Sequence, residues 1–100
     1  MNATRNSAAR ATAYRLPEIT TPENLEIRFM HNRGVILEYG SHILFAGYFY
    51  RPDNKCYYGA TYRFTTSDHT CEGEIRLDEI SEETFADNGH AIAWAISRAR

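Results

Sequence analysis

Two dense apolar and aromatic runs, Val35 to Tyr50 and Cys56 to Phe64, are separated only by Arg51-Pro52-Asp53-Asn54-Lys55. Proline fixes φ, and the short side chains of Asp and Asn bond locally to the backbone, so this separator should reverse the chain. The chain is therefore expected to be a hairpin-centred sheet onto which the remainder packs.

The alternation of side chains extends that frame. Val35, Leu37 and Tyr39 share one face of a strand, and Gly40-Ser41 can close a tight hairpin into His42 to Tyr50. In that second strand Ile43, Phe45, Gly47 and Phe49 lie on one side and His42, Leu44, Ala46, Tyr48 and Tyr50 on the other. Both sides are apolar, which marks the centre of a sheet. From Tyr57 to Thr65, the set Tyr58, Ala60, Tyr62 and Phe64 reads as core, and Tyr57, Gly59, Thr61, Arg63 and Thr65 as more solvent-facing. A last strand over about Thr70 to Leu77 turns Ile75 and Leu77 inward.

Leu16 to Thr20 is a short extended lead-in. Thr21, Pro22 and Glu23 carry the signals of a helix start, yet Leu25, Ile27 and Phe29 alternate with polar neighbours. The period of two favours a strand from Leu25 to Met30. Toward the C-terminus the period changes. Ser81 to Phe85 reads as a short helical start, and Asp87 or Asn88 can cap a stronger helix, Gly89 to Arg98, with Trp94 on its flank. The predicted fold class is α+β: an antiparallel β-sheet of four or five strands packed against a C-terminal helix. Residues 16–100 form its single domain, behind a flexible basic arm at 1–15 that carries Arg5, Arg10 and Arg15 and no acid.

The net charge of −2 becomes −5 once those three arginines are set aside. Glu72, Glu74, Asp78, Glu79, Glu82, Glu83 and Asp87 stand in one segment with Arg76 alone against them. A body of this sign repels a phosphate backbone, so no direct nucleic-acid binding is expected. No apolar stretch approaches a membrane span, and the N-terminus has no hydrophobic block, so the expected location is the cytoplasm, with no membrane partner. Cys56 and Cys71 are expected as reduced thiols; the scattered histidines give no metal site, and the dispersed glycines no phosphate loop or cofactor.

Catalysis needs a nucleophile or a paired acid and base. The pair His69 and Cys71 keeps a small-molecule-binding domain or enzyme as one alternative, against the plainer reading of Cys71 as a small apolar strand residue. The more informative surplus is aromatic: Tyr39, Tyr48, Tyr50, Tyr57, Tyr58 and Tyr62 exceed what one helix can cover. Tyrosine supplies contact area at limited entropic cost, so a protein contact is expected at Tyr48, Tyr50, Arg51 and Tyr57, with the acidic side chains meeting a basic partner surface. Homodimerisation through an uncovered sheet face is the competing expectation. No catalytic residue is assigned.

The plan of Leu25 to Ala99, with VILEYG, AGYFYRPDNKCYYGATYRF and EGEIRLDEISEETFADNG as its segments, resembles small phage-encoded anti-CRISPR proteins in length and sheet-plus-helix order. The resemblance implies a non-enzymatic inhibitor that masks a nucleic-acid-binding or nuclease-recruiting surface of a CRISPR effector. It carries over no residue.

Overall fold

The computed structural model describes residues 9–29, 31 and 33–100. Their order is α1 (residues 9–14), β1 (Ile19–Thr20), α2 (Pro22–Phe29), β2 (Val35–Tyr39), β3 (His42–Tyr48), β4 (Tyr57–Phe64), β5 (Ile75–Ile80) and α3 (Asn88–Ala99). The five strands form one antiparallel sheet in the order β1-β5-β4-β3-β2. The expected α+β architecture, a sheet packed against a C-terminal helix, is therefore the observed one.

Both faces of this sheet are covered. On one, Ile43 and Phe45 of β3 and Tyr58, Ala60, Tyr62 and Phe64 of β4 pack against Ala11, Leu16, Leu25 and Phe29. On the other, Leu44, Ala46, Gly59 and Thr61 are buried beneath α3, whose own buried residues are Ala91 and Ala95. Gly59 and Thr61, expected to face solvent, belong instead to this second interior. The helix α3 occupies this face, and α1 and α2 fill the opposite one.

Two short segments produce that second layer. Residues 9–14, expected to belong to a flexible arm, are helical, with Ala11 buried and the Tyr14 ring stacked on Tyr58 at 3.8 Å between centroids. Residues 1–8 of the expected arm, with Arg5, lie outside the described residues, and Arg15 follows the helix in an exposed turn. The expected strand Leu25–Met30 is instead helical in its described part, and Met30 lies outside the described residues. The Asn24 backbone N–H donates to Thr21 Oγ1 at 3.2 Å, and Pro22 occupies the first turn, where a missing N–H costs nothing. Pro22, Leu25 and Phe29, spaced three and four apart, are buried while Ile27 stays 66% exposed, which lifts the conflict that favoured a strand.

Two adjustments concern β5. It runs Ile75–Ile80 rather than from Thr70, and its register shifts against β4: Tyr62 faces Leu77 while Thr61 faces Glu79. Asp78 is the extra residue of this bulge, and the shift turns Ile80 inward. Ser81 to Phe85 is not helical; Phe85 bridges Tyr57 in both directions, at 3.0 and 2.7 Å.

The helix α3 approaches β4 where Gly59 has no side chain. A Cβ there would stand 2.6 Å from Trp94 Cε3 and 2.7 Å from the Ala91 carbonyl oxygen. Gly59→Ala is therefore expected to lower the unfolding free energy by about 1–3 kcal/mol, read from urea denaturation. Burial also raises the phenol pKa values of Tyr58 and Tyr62 above the ordinary value of about 10. Because each folded value lies above its unfolded one, this contribution to stability is complete below about pH 10 and is lost as pH rises toward the folded values. An alkaline titration followed by ultraviolet phenolate absorbance should show these two rings ionising only as the circular dichroism of the fold disappears.

Candidate functional site

A cleft of about 360 Å³ opens beside the C-terminal half of β5. There β1 has already stopped, since it pairs only with Arg76 and Ile75. One wall comes from α3, through Trp94 and Arg98, which are four apart and so share a helical face. Arg10 of α1 contributes from the N-terminal segment, and Glu79, Ile80, Glu82 and Glu83 form the floor and rim. Among the described residues the cleft thus combines a half-buried indole, two guanidinium groups and three carboxylates.

Arg98 forms an ion pair with Glu79 and lies 5.8 Å from the centroid of the Trp94 ring. The hydrogen bond and the charge of Glu79 raise the pKa of that guanidinium further. The segment bearing Glu82 and Glu83 is pinned from beneath by Ser81, which is fully buried. Its hydroxyl accepts from Gly59 N–H at 3.0 Å and donates to the Glu83 carbonyl at 2.7 Å. The same glycine that admits α3 to the sheet therefore also holds the rim of the cleft.

The residues proposed from sequence for partner binding divide into separate places. Tyr48 and Tyr57 meet edge to face at 5.4 Å, with the Arg33 guanidinium 4.9 Å from the Tyr48 ring centroid. Tyr50 is 75% exposed beside Phe49, whose ring touches Tyr14. Arg51 is turned onto Asp53 by a two-pronged contact at 3.1 and 2.9 Å, which draws the Asp53 carboxyl down to about 2. Tyr58 and Tyr62 are interior, and the Tyr62 hydroxyl donates to the Pro17 carbonyl at 2.7 Å.

The acidic run is likewise broken up. Glu79, Glu82 and Glu83 enter the cleft. Glu74 accepts from Thr65 Oγ1 at 2.6 Å, Asp78 lies 3.9 Å from Arg63, and Glu72 sits on the exposed turn before β5. Asp87 caps α3, its carboxylate accepting from the His90 backbone N–H at 2.8 Å. Arg10, Trp94 and Arg98 were not among the residues proposed for partner binding. The Trp94–Arg98 spacing was a usable signal, whereas nothing local tied Arg10 to them.

Elsewhere, His69 stacks on Phe64 at 4.6 Å while Cys71 lines a smaller groove of about 200 Å³ with Pro22, Glu26 and Glu38. No hydrogen bond joins His69 to Cys71 among the described residues, and both cysteines are free thiols. Among the described residues no helix is long and apolar enough to cross a membrane, and no group of three His, Cys, Asp or Glu is placed to hold a metal ion.

Residues 16–99 match the family described as Nucleotide modification associated domain 4. The chain belongs to that family. No curated protein and no solved structure matches it. The Nmad4 match spans every strand and the two later helices, so β5, the Ser81 loop and α3, which build most of the cleft, lie inside it, while Arg10 lies before it.

The Asp87 cap gives this wall of the cleft a pH dependence. The His90 backbone hydrogen bond, followed by the contact with its ring, holds the Asp87 pKa below the ordinary carboxylate value. Its contribution is complete above the unfolded pKa of about 3.9 and is lost as pH falls through the folded value. Asp87→Ala should lower the melting temperature at neutral pH and flatten its fall in acid, in thermal melts recorded across a pH series.

Proposed function

We propose that this chain is a binding module of nucleotide modification that seats a nucleobase against Trp94. The observation that carries the reading is the cleft in a chain of the Nmad4 family: an aromatic wall for stacking, carboxylates for base edges and guanidinium groups at its rim. Its volume of about 360 Å³ falls in the lower part of the range of small-ligand sites. Among the described residues the lining offers Arg and Glu, groups that can recognise a base and its phosphate by hydrogen bonds.

A second reading keeps the inhibitor expected from the sequence. The side-by-side exposure of Phe49 at 41% and Tyr50 at 75% favours a protein contact at that end of the sheet. A CRISPR effector with a basic surface is one partner that this patch would suit, with Glu72 and Glu74 as accessory charges.

Trp94 is the only tryptophan of the chain, so intrinsic fluorescence reports the cleft directly. A nucleoside monophosphate has about twenty non-hydrogen atoms; at about 0.3 kcal/mol each, a Kd on the order of 10–100 µM is expected. Titration with a panel of nucleosides and their monophosphates should quench Trp94 saturably, and calorimetry on Trp94→Ala should show at least about a tenfold loss for the best ligand. A flat fluorescence and calorimetric response to the whole panel at millimolar concentration would overturn the reading, and retained binding by a Tyr50→Ala variant would separate this site from the aromatic end.

A further inference from the structure

The three carboxylates of the cleft are not equivalent. Glu79 is already engaged by Arg98. Glu82 and Glu83 form no side-chain hydrogen bond or ion pair within 4.0 Å among the described residues, although the Glu82 charge also acts on Arg98. The buried Ser81 fixes the backbone that carries them. With Glu79, Glu82 and Glu83 against Arg10 and Arg98, the lining sums to one negative charge among the described residues. A phosphate drawn fully inside would meet that negative balance, so the polar group best suited to the interior is an N–H donor, with any phosphate left toward the arginines.

Ionised carboxylates only accept hydrogen bonds. Cytosine and adenine carry an exocyclic amino group, and guanine presents an N–H beside an amino group, so each offers donors to Glu82 or Glu83. Thymine and uracil instead flank a single N–H with two carbonyl oxygens. Those oxygens would lie against carboxylates in a partly enclosed site, where unpaired or repelling acceptors are costly.

We infer that the cleft selects amino-bearing bases, with Glu82 and Glu83 reading the donor edge of a base stacked on Trp94. This rests on the nucleobase reading above and goes beyond it by assigning the base class and the residues that discriminate it.

The test compares cytidine, adenosine and guanosine with uridine and thymidine, all as uncharged nucleosides, by Trp94 fluorescence and calorimetry on the full chain. At least one amino-bearing nucleoside should bind about tenfold or more tightly than uridine and thymidine. Glu82→Gln and Glu83→Gln alter exposed side chains without changing their size, and a glutamine can donate as well as accept. At least one of them should reduce the preference severalfold by weakening the amino-bearing ligand and strengthening uridine. Equal affinity for all five nucleosides, or a preference untouched in both variants and in their double variant, overturns the selectivity while leaving nucleobase binding in place. Absence of binding by every nucleoside and nucleotide overturns both.

Discussion

The close approach of α3 to β4 at Gly59 is the contact on which the rest of the arrangement depends. Only a residue without a Cβ lets the Ala91 carbonyl and the Trp94 ring sit so near the strand, and Ala91 and Ala95 continue that close packing along the helix. The Gly59 N–H also fixes Ser81, and through it the loop bearing Glu82 and Glu83. One backbone position thus places both the aromatic wall of the cleft and its acidic rim.

The opposite face shows how a small chain hides so many phenols. Tyr14 stacks on Tyr58, Phe29 meets Phe45 edge to face at 5.2 Å, and the Tyr62 hydroxyl finds the Pro17 carbonyl. These three contacts are supplied by the first thirty residues, the part of the chain with the weakest apolar pattern. Burial of Tyr58 and Tyr62 removes them from the aromatic surface that the sequence suggested. What remains outside is concentrated at Phe49 and Tyr50, with Tyr39 at the margin.

The hairpin frame was legible because period-two patterns in β2, β3 and β4 are strong, and α3 because Asp87 stands before a helical run of alanines. α2 was misread because eight residues hold too few turns for periodicity to decide, and burial of Ile27 was assumed where Leu25 and Phe29 suffice. The core role of residues 9–14 was hidden because Ala11 and Tyr14 acquire their contacts only from distant strands. The cleft was legible only in pieces: Glu79, Glu82 and Glu83 were singled out as charges, but a bulge at Asp78 and the fold of α1 decide what faces them.

The Trp94 cleft and the aromatic end at Phe49 and Tyr50 lie on separate residues, so binding at the two can be told apart residue by residue. The most direct measurement is a two-dimensional nitrogen–proton NMR titration of the labelled chain with cytidine, observing the single indole N–H together with the backbone amides. The account predicts saturable shifts of the Trp94 indole and of the Glu82 and Glu83 amides, with the amides of Tyr50 and Glu74 unmoved. Shifts confined to the Tyr48 to Tyr57 region, or none at all at saturating ligand, would contradict it.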